Sequence, residues 1–289
     1  MTTTTIEPRG PFSLRESATL GFGHRHDIAY DGVMRMAFCL DSYADAAGVE
    51  VRQDDAGVHV TVRGDADPAA VTKQVARILS LDHDGAGFVE VGRRDPVLGR
   101  LQAAAPGLRP PQFHSPYEAA AWSVLSARRP ARQMAQVRQR LSEAYGSGFD
   151  LAGQRWHAFP TPRALLAVED FPGIPELKLS RLHAVARATL DGKLDVDRLT
   201  AVDPDTAMAR LRELPGIGPF YASLVVIRSC GLADVLVVNE ATAVAAIRDL
   251  YGFAAPPTRE QIAELAETWR PFRTWAAVLL RAATPRLAA

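Results

Sequence analysis

Cysteine is nearly absent from this chain: there are two in 289 residues, Cys39 and Cys230, far apart in sequence. Two distant thiols make no disulfide framework, and no Cys/His group has the spacing of a zinc or iron–sulfur site. Free thiols in a reducing, cytoplasmic compartment are expected. No apolar run approaches the roughly 18–20 residues that a membrane-spanning helix needs. The first residues, polar and Thr-rich, lack the apolar stretch of a secretory signal, and 1–12 reads as a disordered tail. The phosphate-binding P-loop, the dinucleotide fingerprint and the nucleophile elbow are all missing, which argues against mononucleotide-driven, nicotinamide-dependent and serine-hydrolase chemistry. The seven histidines are scattered, and His24 and His26 read as an exposed pair. Lysine occurs only at 73, 178 and 193, so nearly all of the 33 basic residues are arginine, balanced by 33 acids. A net charge of zero is unusual for a nucleic-acid binder. However, Arg128, Arg129, Arg132, Arg138 and Arg140 crowd one short segment, and a neutral total can conceal a basic face.

What is present divides into two halves. Residues 13–104 carry a mixed pattern. Val58-His59-Val60-Thr61-Val62 alternates with the period of a half-buried strand. Residues 33–40, 49–52 and 88–91 are further strand candidates, with turn signals at Asp31-Gly32 and between Asp54 and Gly57. Asp67-Pro68 opens a helix on which Val71, Val75, Ile78 and Leu79 share one face. A small antiparallel sheet carrying a helix is expected here. The Pro- and Gly-rich stretch 106–116 marks the boundary, and 105–289 reads as helical. Ser115-Pro116-Tyr117-Glu118 is a strong helix start, with a Ser cap, Pro at the first position and an acid in the first turn. Further helices are expected at 131–145, 162–168, 177–190, 204–213, 219–230, 240–251, 258–267 and 271–283. The fold class is α+β, a sheet domain followed by an all-helical core.

The most informative stretch is Leu214-Pro215-Gly216-Ile217-Gly218, between two predicted helices. Pro215 stops the first helix. Gly216 and Gly218 can take positive φ values and let another backbone approach closely. Ile217 plugs the gap between the helices. Such a turn also presents N–H groups at a helix start, where a phosphate binds readily. An ordinary helix–helix turn would use the same residues.

The longer run Leu211-Arg212-Glu213-Leu214-Pro215-Gly216-Ile217-Gly218-Pro219-Phe220-Tyr221-Ala222 resembles the helix–hairpin–helix of the HhH-GPD superfamily of DNA glycosylases, in its AlkA-type branch. Other segments resemble the family in the expected order: Arg94-Asp95-Pro96-Val97-Leu98-Gly99, Ser115-Pro116-Tyr117-Glu118-Ala119, Asp191-Gly192-Lys193-Leu194-Asp195 and Trp269-Arg270-Pro271-Phe272-Arg273-Thr274-Trp275. The resemblance spans 94–283 well and the first domain more loosely. It implies base-excision repair: a monomer binds double-stranded DNA, flips a damaged base, an alkylated purine in this branch, into a pocket and hydrolyses its glycosidic bond. It places the protein at the nucleoid and implies no cofactor beyond a monovalent Na/K ion held by the hairpin carbonyls of Arg212, Leu214 and Ile217.

The resemblance also assigns residues. Glu240 falls where the family has a catalytic Asp, with Asn239 beside it on the DNA side. Three readings of the longer side chain stay open. It does the same work in a deeper pocket, it serves another substrate geometry, or the protein binds damage and cuts poorly. Leu214, Gly216, Ile217 and Gly218 would contact the DNA backbone. Arg128, with Arg129 next to it, replaces the family's usual Gln-rich turn and would wedge into the gap left by the flipped base. Phe220 stands where strand-nicking members carry a Lys, so no amine is there to form a Schiff base. Phe220, Tyr221, Phe272 and Trp275 are the aromatic candidates for the base pocket, with plain core packing as the competing reading.

Overall fold

In the computed structural model, which describes residues 1–20, 30–236 and 241–287, the chain starts with a strand. Strand β1 (Thr2–Ile6) leads through helix α1 (Leu14–Thr19) to β2 (Met34–Cys39), β3 (Ala46–Asp54) and β4 (Gly57–Arg63), followed by α2 (Pro68–Ile78). The antiparallel sheet has the order β1-β4-β3-β2. The Val58–Val62 alternation lies on β4, as expected, and Asp67 caps α2 by accepting from Ala69 and Ala70 N–H. Val49, Val51, Val58 and Val60 pack against Val71, Val75 and Ile78 in one core.

The expected disordered tail is therefore corrected: residues 2–6 pair with β4 from Thr2 opposite Val62 to Ile6 opposite Val58. Four threonines have little to bury, but an edge strand needs only a backbone partner and β-branched side chains. Thr3 and Thr61 join their hydroxyls at 2.9 Å.

Helices α3 (Gly85–Arg94) and α4 (Pro96–Ala104) come next. The strand expected at 88–91 is thus a helix. Asp84 caps it at Ala86 N–H, and Phe88 and Val91, three residues apart, share its buried face. The apparent alternation of four residues was too short to fix the period. Gly92 and Gly99 let the pair cross closely, since a Cβ on Gly99 would lie 2.6 Å from the Gly92 carbonyl oxygen.

The helical body runs α5 (Pro116–Ser126), α6 (Ala131–Tyr145), a small hairpin β5 (Gly148–Leu151) and β6 (Gln154–His157), then α7 (Pro162–Leu166), α8 (Glu176–Leu190), α9 (Val196–Thr200), α10 (Pro204–Leu211) and α11 (Pro219–Ser229). Tyr117, Trp122, Leu141, Leu182, Val185 and Val225 lie in its core. Helices α12 (Ala241–Tyr251), α13 (Arg259–Ala266) and α14 (Arg273–Ala283) close the chain. Their core takes in Val91, Leu98 and Leu101, so α3 and α4 pack with the C-terminal helices and not with the sheet. Asp95 ties this unit together. It caps α4 and accepts from Tyr251 Oη at 2.7 Å and Trp269 Nε1 at 3.0 Å. Burial, then that bond, pushes the Tyr251 hydroxyl well above its ordinary value.

The sheet is joined to the helical body by a buried charge cluster. Glu118, on α5, accepts from Arg138 Nη2 at 2.6 Å and Cys39 N–H at 3.1 Å, and its Oε2 lies 3.1 Å from His114 Nδ1. Burial raises its pKa, but His114, Arg138 and the Cys39 N–H outweigh burial and hold the carboxyl below the usual range. No described helix is long and apolar enough to cross a membrane.

Candidate nucleic-acid interface

The turn between α10 and α11 is built from Leu214 to Gly218. Leu214 and Ile217 are buried among the helices, and the Leu214 carbonyl accepts Ile217 N–H at 3.0 Å. Ile217 thus plugs the gap, as its sequence position suggested. The two glycines differ. Gly216 has φ 92°, and a Cβ there would lie 2.8 Å from Arg181 Cδ. Gly218 has φ −86° and ψ 179°, an extended conformation open to any residue, and a Cβ would meet nothing within 4 Å. Of the two glycines, Gly216 uses the positive φ open to both and Gly218 does not. It caps α11 with no side-chain hydrogen bond, which leaves the first-turn N–H groups of Phe220 and Tyr221 for an outside acceptor. Its bareness keeps open space over a helix N-terminus, where an anion is favoured.

This difference predicts two outcomes. Gly216→Ala should destabilise the fold by about 1–2 kcal/mol, the ordinary cost of a left-handed non-glycine residue. Gly218→Ala should leave stability within about 0.5 kcal/mol but weaken duplex binding severalfold. Denaturant melts and fluorescence titration with a DNA duplex check the pair, and equal destabilisation by both would contradict it.

Beside the hairpin lies a basic surface that the neutral total concealed. The α5–α6 turn exposes Arg128 and Arg129, with Arg128 held at φ 57°. Lys178, on α8, anchors that turn by donating to the carbonyls of Leu125 and Ala127. One helical turn on, Arg181 lies against Gly216. Burial, then Arg129 and Arg181, lowers the Lys178 pKa. Helix α8 thus connects the hairpin and the Arg128 turn into one positive strip. Lys178 and Arg181 were not singled out from the sequence. Only the packing of α8 brings them there.

A cavity of about 90 Å³ opens between α11, α12 and α14, with Phe220, Leu224, Val235, Ala243, Thr274 and Arg281 on its walls. Phe220 is 46% exposed and meets the Tyr221 ring edge-on at 5.3 Å. Tyr221 itself is half-buried against the helical core. Phe272 and Trp275 are corrected. They are 7% and 1% exposed, their rings meet at 5.0 Å, and both pack on Phe88 in the C-terminal core. The reason is helical phase. Thr274, Val278 and Arg281 follow the i, i+4, i+7 spacing of one face of α14, and Trp275 is about 100° away. That spacing was readable in the sequence and would have identified Arg281.

The segment entering the cavity is pinned to α14. Thr274 N–H donates to the Ala233 carbonyl at 2.9 Å, and its Oγ1 accepts Val235 N–H at 3.0 Å. Asp234 accepts from Arg273 Nε at 2.8 Å and Arg270 Nη1 at 2.9 Å, making it a surface acid in an ion-pair cluster. Asn239 and Glu240, like His24 and His26, lie outside the described residues. The nearest cavity-wall residues on either side of that stretch are Val235 and Ala243.

No family model matches the chain. Among curated proteins it is 28% identical over 214 residues to the "Probable bifunctional transcriptional activator/DNA repair enzyme AlkA" of Mycobacterium tuberculosis, covering 73% of this chain and 42% of that one. It is 30% identical over 184 residues to DNA-3-methyladenine glycosylase 2 of Escherichia coli, covering 62% of each. Among solved structures, the 3-methyladenine DNA-glycosylase from Archaeoglobus fulgidus superposes with a TM-score of 0.73 at 18% identity, over 99% of this chain and 98% of that one. The chain is thus similar in sequence to AlkA-type DNA glycosylases and shares the fold of a solved one.

The chain thus spans about two fifths of the Mycobacterium relative's length. Phe220, at the position where the resemblance would put a Lys in strand-nicking enzymes, lines the cavity and adjoins the hairpin. The α+β architecture is shared with the Archaeoglobus structure over nearly the whole chain.

Proposed function

We propose that this protein is a monofunctional DNA glycosylase that removes a damaged base, of the alkylated purine class, from double-stranded DNA. The observation that carries the proposal is the juxtaposition of three features. A phosphate-ready hairpin, an exposed arginine turn and an aromatic-mouthed cavity are linked by α8 and α11. In this reading Leu214, Gly216, Ile217 and Gly218 receive the backbone. Arg128 and Arg129 face the duplex, and Arg128 fills the hole left by the flipped base. Phe220 stacks on that base, with Tyr221 supporting its ring. The resemblance's cation fits the turn: the Leu214 carbonyl keeps a second lone pair beside its bond to Ile217. The carbonyls of Arg212, Leu214 and Ile217 would hold the ion and add positive charge facing a phosphate. One enzyme encloses one lesion, so a monomer suffices, and its place is at the chromosome.

The chemistry is assigned to Glu240, with Asn239 next to it on the DNA side. The bond from C1′ to the base nitrogen breaks and its electron pair leaves with the base. The carboxylate stabilises the positive charge left on the sugar and takes a proton from the attacking water, whose oxygen bonds to C1′. Phe220 supplies no amine, so the product is an intact abasic strand.

The test is release of free base from a methylated duplex, followed by gel analysis of the strand. Release with the strand uncut is expected. Tight lesion binding without release from any of several lesions would overturn the enzymatic reading. Arg128→Ala should weaken lesion-duplex binding by about 1–3 kcal/mol, the range for losing a stacked contact, with a smaller effect on undamaged duplex. Equal losses on both would reduce Arg128 to a phosphate contact.

A further inference from the structure

A second concavity, of about 460 Å³, runs along α6 and shares no lining residue with the cavity beside Phe220. Its rim is formed by Arg129, Gln133, Gln136 and Arg140, and Met134 and Ile174 lie on its floor. Gln133, Gln136 and Arg140 follow the i, i+3, i+7 spacing of one helical face, and Arg129 continues the row into the α5–α6 turn. The opposite wall is the turn from Phe171 to Ile174, closed by Ile174 N–H donating to the Phe171 carbonyl at 3.0 Å. Gly173 in that turn has φ 93°, and a Cβ on it would lie 3.0 Å from Val137 Cγ2 and 3.6 Å from Arg140 Nη2. The turn thus comes close to α6, with the Arg140 guanidinium beside it. All four rim side chains are exposed, none has a hydrogen-bond or ion-pair partner among the described residues, and no acid lines the groove.

We infer that this groove receives the sugar-phosphate backbone of the undamaged strand, with Arg129 and Arg140 on its phosphates and Gln133 and Gln136 donating to backbone oxygens between them. The inference rests on the glycosylase reading and adds to it a site for the second strand. Two observations select the occupant. A guanidinium at each end of the rim, amide donors between and no lining acid suit a run of phosphates. The lining holds no aromatic ring, so an unstacked base would have no face to rest on. The strand follows from the order of sites along the surface. Helix α8 has Arg181 at the hairpin and Lys178 at the Arg128 turn, and Arg129 of that turn is already on the groove's rim. The hairpin receives the damaged strand and Arg128 fills the gap left by its flipped base. A phosphate site beyond Arg128, on the side away from the hairpin, therefore meets the other strand.

Arg140→Gln tests the site. Arg140 is exposed, so the variant should fold as wild type does, which a denaturant melt checks. Affinity of the full chain would be measured from about 50 to 200 mM salt for a damaged duplex, an undamaged duplex and the damaged strand alone. Each phosphate contact contributes about 0.9 to the slope of log K against log salt. Arg140→Gln is expected to lower the slope by about that amount on both duplexes, which makes its affinity deficit about threefold larger at the low-salt end, and to leave the single strand unchanged. A methylphosphonate removes the charge of one phosphate. Moved along the undamaged strand, it should weaken wild type severalfold at one or two positions and leave Arg140→Gln unaffected there. An unchanged slope overturns the inference, as does an equal loss of slope on the single strand, or coupling of Arg140 to phosphates of the damaged strand only. Base release from a methylated duplex is measured in parallel. Coupling to the undamaged strand without release from any lesion sinks the glycosylase reading alone, while release without that coupling sinks this inference alone.

Discussion

Glu240→Gln is expected to lower base release by about a hundredfold or more while binding of a lesion duplex stays within about threefold. The substitution keeps size and hydrogen-bonding capacity and removes the charge. If the carboxylate stabilises the sugar cation, its loss matters only as the glycosidic bond breaks, so kcat falls and affinity does not. Single-turnover release measured beside a binding titration separates the two. Equal release by wild type and Glu240→Gln would remove Glu240 from the chemistry. Glu240→Asp asks a further question, because the shorter side chain withdraws the carboxylate by about one methylene. An error near 1 Å in a catalytic group costs on the order of a hundredfold. A cavity shaped for Glu should therefore lose activity with Asp, and a gain would mean that the cavity suits the superfamily's usual residue.

Breaking the Glu118–Arg138 pair is expected to destabilise the fold by about 3–5 kcal/mol, because either truncation strands the opposite charge in the interior. Glu118 and Arg138 are both buried, and Glu118 also holds the Cys39 N–H at the sheet. The loss should therefore loosen the sheet from the helical body, and chemical denaturation of Arg138→Ala would show it. The pH dependence has a definite sign. The Glu118 carboxyl sits below its ordinary 4.5 when folded, since His114, Arg138 and the Cys39 N–H outweigh the effect of burial. An acid depressed in the folded state contributes stability above its unfolded value and loses it as pH falls through the folded one. Wild-type stability should thus fall as pH drops below about 4.5, and a Glu118→Gln variant should show a shallower fall. The same slope in both would show that other carboxylates control the acid limb.

The features legible in the sequence were those set by near neighbours. Ser115 caps α5 by accepting Glu118 N–H, and Asp203 caps α10 by accepting Thr206 N–H, each from a pattern of four residues. The hairpin was readable because Pro215, Gly216 and Ile217 act on their own backbone and the adjacent helices. Phe220 was readable as the missing amine through the resemblance, which places that position at a fixed distance from Gly218. Reading failed where partners are remote. The Thr-rich strand β1 exists only because β4 offers an unpaired edge. Residues 88–91 needed the α3–α4 crossing to settle their period.

For function the division is similar. By itself the sequence determined the hairpin turn, an aromatic residue at 220 and a carboxylate at 240, because each is a residue type at a fixed separation along the chain. Only the tertiary structure decided which aromatics face the cavity and which fill the core, since that depends on the rotation of α14 against α3. It also decided that Lys178 and Arg181 join Arg128 and Arg129 beside the hairpin, and that Arg228 and Arg281 line one cavity. Charges distant in sequence add to one field only when packing brings them within reach of each other. A net charge of zero records their sum and not where they stand.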